Sequence, residues 1–138
     1  MGIESIRVVA VAAQPDEASL TGNAIAVLHE VAELLDGLAQ RGESGVIDLG
    51  GMPLNQADRD WLAAKLGQGE VEMTLALDGA SEIRETAFHG VWWLLHRNEN
   101  GVITGEFIEV NRVPELVLAH ADDIRLAADR FNLLIGDL

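Results

Sequence analysis

Four histidines (His29, His89, His96 and His120) and 23 acidic residues are the groups of this chain best suited to acid–base or metal chemistry. His29 and Glu33 stand one helical turn apart, a spacing that suits two metal ligands. A solvated helix face brings such pairs together by composition alone, and nothing marks a third ligand. His89 and His96 flank one strand-like stretch and differ by an odd number of positions, so in a regular strand they point to opposite faces. They cannot share a metal without a bulge. Glu70 and Glu72 share a strand face, with Glu85 across a hairpin. A glycosidase-like acid pair needs one such carboxyl buried and its pKa raised; in so acidic a chain a solvated face is the simpler reading. Ser5, Ser19, Ser44 and Ser81 are the serines, and none lies in a G-x-S-x-G elbow. Gly50-Gly51 and Gly67-Gln68-Gly69 lack the Lys and Ser/Thr of a phosphate loop and read as turns. The chain has no Cys, which excludes disulfides, thiolate metal sites, cysteine nucleophiles and cysteine-held iron–sulfur clusters. The residues therefore assign no catalytic residue, no cofactor site and no metal site.

Contact chemistry is better represented. Arg84 to Trp93 packs charge, a glycine and two adjacent tryptophans into one short stretch. Trp92 and Trp93 are neighbours on a strand, so they point to opposite faces of the sheet. One fits a core beneath helices. The other meets solvent, and so marks a partner surface, unless the N-terminal strand or the last helix forms a lid over it. Glu85 alternates with Ile83 and Ala87; if that face is buried, Glu85 needs a partner such as Arg97 or Arg112.

The elements that must position these groups follow from periodicity. Ile6 to Ala13 reads as a strand; Glu4 before it, Arg7 within it and its short apolar run argue against an export signal. Ala24, Val27, Leu28, Val31, Leu34, Leu35 and Leu38 form one helical stripe, with Thr21 or Asn23 as cap and Gly42 as terminator. Gly45 to Leu49 is a short strand. Asn55 caps a helix over 56–66, with Trp61, Leu62 and Leu66 inward. From Gly69 the period becomes two: Val71, Met73, Leu75 and Leu77 form a half-buried strand. Asp78-Gly79 and Asn100-Gly101 are hairpin turns, His89-Gly90 is a corner, and Ser81 to Ala87, Val91 to Leu95 and Val102 to Val110 complete a four-strand meander. Ile124, Ala127, Ala128, Phe131 and Ile135 make the apolar face of a last helix capped by Asp122 or Asp123. The fold class is α+β: a mainly antiparallel sheet, the four-strand meander plus one or two N-terminal strands, with helices packed on one face. The 138 residues suit one domain, 1–138. A net charge of −14 repels nucleic acid and anionic lipid; it suits a basic protein patch, though solubility is the simpler reading. No segment approaches a membrane span, and a thiol-free composition fits the cytoplasm.

Leu66-Gly67-Gln68-Gly69-Glu70-Val71, then Glu85-Thr86, Gly90-Val91-Trp92-Trp93, Ile108-Glu109-Val110 and Val113-Pro114 resemble the HupH-type (HyaF-like) hydrogenase expression and formation family, as do Ile47-Asp48-Leu49, Pro53-Leu54 and Asp58-Arg59 upstream. The similarity runs over roughly Ala24 to Leu118, and its specificity lies in the order of the motifs. His89 stands where a proline is common, and the family's members tend to be longer, with a second diverged domain. The resemblance implies a cytoplasmic accessory protein for [NiFe] hydrogenase, working with maturation of its subunits, the iron–sulfur small subunit being the favoured client. It implies no catalytic residues. Gly69, Glu70, Glu85, Thr86, Gly90, Trp92 and Trp93 carry over as residues of fold and contact. Three readings follow. The first is a binding protein for a hydrogenase subunit or another maturation protein. The second is a small enzyme using acids with His89 or His96, which expects a pocket joining a histidine and a carboxylate. The third is a self-associating scaffold, a homo-oligomer with a symmetric apolar interface on the outer sheet face.

Overall fold

In the computed structural model, residues 20–76 and 78–138 are described. The strand expected over 6–13 lies outside them, as does Leu77. The element order is α1 (Asn23–Arg41), β1 (Gly45–Asp48), α2 (Gln56–Leu66), β2 (Glu72–Leu75), β3 (Ala80–Glu85), β4 (Val91–Arg97), β5 (Ile103–Val110), a 3₁₀ turn (Glu115–Val117) and α3 (Ala121–Gly136). The five strands form one antiparallel sheet in the order β1-β5-β4-β3-β2. The last four are the expected meander, and β1 joins its β5 edge.

Local chemistry explains most boundaries. Gly42 ends α1 in the left-handed region at φ 69°, where its N–H bonds Leu38 O at 3.0 Å. The cap expected from Thr21 or Asn23 takes another form. Gly22 occupies the N-cap position and no side chain caps the helix there; the Thr21 hydroxyl accepts from Asn23 N at 3.2 Å. For α2 the cap is as expected and reciprocal. Asn55 Oδ1 accepts from Asp58 N at 2.8 Å, and Asp58 Oδ2 accepts from Asn55 N at 3.0 Å. Asp78 and Gly79 both take positive φ, 45° and 119°, in the turn that joins β2 to β3, where glycine and aspartate tolerate the left-handed region. At the second hairpin Asn98 Oδ1 accepts from Asn100 N and Val102 N at 2.9 and 3.0 Å, and Gly101 turns at φ 80°.

The pleat sorts the strands into two faces. The inner face carries Ile47, Val91, Trp93, Ile108 and Val110, which pack with Ala24, Val27 and Val31 of α1 and Leu62 and Leu66 of α2 into the main core. The outer face carries a smaller cluster of Ile83, Trp92 and Leu94, flanked by Met73, Leu75, Phe107 and Val117. Helices α1 and α2 thus cover one face, as the layer argument requires. The third helix differs. Its apolar stripe is present in sequence, yet every residue of α3 is exposed, including Ile124, Phe131 and Ile135 at 56%, 62% and 55%. Helical periodicity identifies an apolar face but not its partner.

Candidate functional site

Six of the seven residues carried by the sequence motifs meet at one corner of the sheet. The chain enters it from the end of α2. Gly67 sits at φ 66°, and its N–H bonds Ala63 O at 3.0 Å. Gly69 then passes so close to the end of β3 that a Cβ on it would lie 2.4 Å from Thr86 O and 2.6 Å from Glu85 Oε1. Only glycine fits that approach. Gly69 N donates to Glu85 O at 2.8 Å, Glu70 N donates to Glu85 Oε1 at 3.0 Å, and Ala87 N donates to Leu66 O at 2.9 Å. Beyond β3, the Thr86 hydroxyl donates to Val91 O at 2.9 Å and accepts from Phe88 N at 3.2 Å. Gly90 turns at φ 92°, and its carbonyl accepts from Asn111 N at 2.9 Å. Trp92 Nε1 closes the knot on Asn111 O at 3.0 Å.

Glu85 is buried in this corner, as its alternation with Ile83 suggested, but its partners are neither Arg97 nor Arg112. They are the Glu70 N–H and His89, whose Nδ1 lies 3.2 Å from Oε2. Arg97 pairs with Glu82 instead, at 3.0 Å across the β3–β4 register. The His89 hydrogen bond, then that of Glu70 N, holds the Glu85 carboxyl below its ordinary value against the opposing effect of burial. A general acid requires the opposite displacement, so Glu85 serves as a fixed acceptor. Glu70 and Glu72 are exposed, the solvated face the acid count implied. What the corner offers outward is its tip: Phe88 is 51% exposed, and the His89 side chain is 89% exposed.

Both tryptophans are buried, so neither is the exposed contact residue that the alternation argument left open. Trp93 lies under the helices at 7% exposure, with its Nε1 donating to Glu106 Oε2 at 3.0 Å. Glu106 Oε1 in turn accepts from Arg59 at 2.8 Å, and the Arg84 guanidinium lies 5.7 Å from the Trp93 ring centre. Trp92 points to the other face, as alternation requires, yet is only 6% exposed because Ile83, Leu94 and the 3₁₀ turn close over it. The lid comes from the Pro114–Leu118 segment and not from the last helix.

Sequence reasoning missed two features of the outer face. Ser81 Oγ lies 2.7 Å from His96 Nδ1, a pairing fixed by the β3–β4 register and illegible without it. His96 also stacks obliquely on Phe107, with ring centres 5.6 Å apart. Beside it runs an open groove of about 410 Å³, with Leu94 and Phe107 among its apolar lining and Val46 and Leu116 at its sides. His96, His120, Glu109 and Glu115 contribute its polar groups. The Glu109 carboxylate is already engaged by Asn111 Nδ2 at 3.0 Å and Glu115 N at 2.9 Å. Among the described residues no group of three or more His, Asp or Glu is placed to hold a metal ion, and no helix is long and apolar enough to cross a membrane. His29 and Glu33 lie exposed on α1, and His89 and His96 lie apart, the first at the corner and the second on the outer face.

Residues 21–136 match the model of the HupH hydrogenase expression protein C-terminal conserved region. The hydrogenase expression/formation protein HoxQ of Azotobacter vinelandii is 34% identical over 111 residues, 79% of this chain and 38% of that protein. The hydrogenase expression/formation protein HupH of Rhodobacter capsulatus is 32% identical over 104 residues, covering 74% of this chain and 38% of the relative. The chain therefore spans about two-fifths of the length of the curated relatives it matches. A solved structure, the hydrogenase expression protein HupH from Thiobacillus denitrificans, is 48% identical with a TM-score of 0.82, over 87% of this chain and 100% of that one. The match over nearly the whole described chain leads to one conclusion: this protein belongs to the HupH hydrogenase expression family, in its C-terminal conserved region.

Proposed function

We propose that the chain is a cytoplasmic accessory protein for making active [NiFe] hydrogenase, acting without catalysis by binding a hydrogenase subunit, the iron–sulfur small subunit foremost. The relatives' names supply the pathway: they are hydrogenase expression and formation proteins. One observation supports the mode of action. The motif residues are spent on building a rigid corner, and what that corner holds outward is an exposed aromatic, Phe88, beside an exposed His89. A loop over 86–91 tied by four backbone hydrogen bonds, together with the Thr86 hydroxyl, loses little conformational entropy on docking. An exposed aromatic on such a support is the usual anchor of an interface. The acidic surface, at −14 overall, adds steering toward a basic client patch.

The test is capture of separately expressed small- and large-subunit precursors by the immobilised full chain. Small subunit is retained by the wild type. The variant Phe88→Ala retains it at least about tenfold more weakly while unfolding at an unchanged urea midpoint. Retention of neither subunit by a folded bait would sink the proposal.

A further inference from the structure

Glu109 stands in the Ile108-Glu109-Val110 motif, and neither the corner nor its exposed tip uses it. The residue is only 6% exposed, yet its carboxylate is half engaged. Oε2 accepts from Asn111 Nδ2 at 3.0 Å and from Glu115 N at 2.9 Å, while Oε1 accepts from no described residue. Among the described residues no inaccessible side-chain oxygen lacks a hydrogen-bond partner. Oε1 is therefore open to the groove that Glu109 lines. A charge withdrawn that far from water costs free energy unless a donor or an opposite charge meets it, and Oε1 can be met only through the groove.

The rest of the lining defines the donor. Leu94 and Phe107 give an apolar floor, Val46 and Leu116 apolar sides, and the exposed Glu115 a second carboxylate. His96 is tied to Ser81 through Nδ1 at 2.7 Å. The complement of apolar walls with carboxylates is an aliphatic stem that ends in a cation. An ammonium fits better than a guanidinium. Glu109 offers one oxygen, which suits a point donor, whereas the guanidinium fork favours both oxygens of one carboxylate. A second copy does not supply the group: Lys65, the chain's one lysine, has its Nζ 5.5 Å from the Trp61 ring centre, and two copies carrying −14 repel each other.

We infer that the outer-face groove is a binding site for one lysine side chain of a partner polypeptide, with its stem on Leu94 and Phe107 and its ammonium on Glu109 Oε1 and Glu115. The small lining suits a single side chain and is too short for a helix. The site shares no residue with the Phe88 tip, so it stands or falls apart from the client-binding proposal.

An NMR titration of the full chain, labelled with nitrogen-15, reads the site directly. The peptide acetyl-Gly-Lys-Gly-amide shifts the amides of Phe107, Glu109 and Glu115 with a Kd on the order of 1 mM, and the binding weakens with added salt. The same peptide with norleucine for lysine keeps the stem, lacks the ammonium and binds at least about tenfold more weakly. Glu109→Gln leaves an oxygen for Asn111 Nδ2 and Glu115 N but removes the charge, and it weakens the lysine peptide by about tenfold. Glu115→Gln changes an exposed side chain, cannot unsettle the sheet, and weakens the peptide by roughly threefold. Absence of shifts at those amides overturns the inference. So does a norleucine peptide that binds as well as the lysine one, or wild-type binding by both glutamine variants. An arginine peptide that binds more tightly overturns the choice of lysine, and n-pentylammonium binding more tightly than the peptide overturns the polypeptide source.

Discussion

Replacing Gly69 by alanine tests whether the corner is architecture. The added Cβ would stand 2.4 Å from Thr86 O and 2.6 Å from Glu85 Oε1. Thr86 O is backbone, so the loop must withdraw. Overpacking of this kind costs about 2 kcal/mol, and withdrawal strains or breaks the 2.8 Å bond from Gly69 N to Glu85 O, worth about 1 kcal/mol more. The expected loss is therefore about 3 kcal/mol. For 138 residues the unfolding entropy is roughly 0.29 kcal/mol/K, so the melting temperature falls by about 10 °C. Gly101→Ala is the control: its φ of 80° disfavours alanine, but nothing lies within 4 Å of the new Cβ, so it costs only about 1 kcal/mol. Calorimetry and urea melts of both variants decide the matter. If Gly69→Ala melts at or above Gly101→Ala, the close approach does not constrain the fold and the account of the corner fails.

Because both tryptophans are buried, Trp92→Ala and Trp93→Ala should each destabilise by about 3–5 kcal/mol in urea unfolding; a neutral Trp92→Ala would place that ring on the surface after all. Asn55→Ala removes half of the reciprocal cap of α2 and should cost about 1 kcal/mol, seen as a lower urea midpoint. The pH dependence has a definite sign. Burial pushes the Asp58 carboxyl up, but the Thr21 hydroxyl, the Asn55 and Thr21 N–H groups and the Arg59 charge outweigh it and hold it below its ordinary value; Glu85 is lowered too. The unfolded chain then takes up protons first, so their stabilisation is complete above their ordinary values of 3.8 and 4.5 and is lost as pH falls through and below them. Asp58→Asn should flatten the fall of the urea midpoint between pH 6 and pH 3, and an unchanged slope would refute its role.

Much of this molecule is legible along the chain. The stripe from Ala24 to Leu38, the Asn55 cap, the change to period two after Gly69 and the Asp78-Gly79 and Asn100-Gly101 turns are local signals, and each fixed an element or its end. Alternation also placed Trp92 and Trp93 on opposite faces correctly. It left open whether the outer-face ring is exposed or lidded, because burial on the outer face depends on the Pro114–Leu118 turn, a segment with no periodicity to announce what it covers. Glu85 shows the same limit. Its burial was readable from the strand pattern, but its partners, Glu70 N and His89, come from chain segments that only folding brings together.

The sequence by itself determined the elements, the antiparallel meander and the family, because helix stripes, strand alternation, turn residues and motif order are all properties of neighbours along one chain. Tertiary structure alone decided that the motif residues form a hydrogen-bonded corner, that Ser81 meets His96, and that α3 is left uncovered. Those facts depend on register and on which surfaces meet in space, and amphipathic periodicity states that a face wants burial without stating against what.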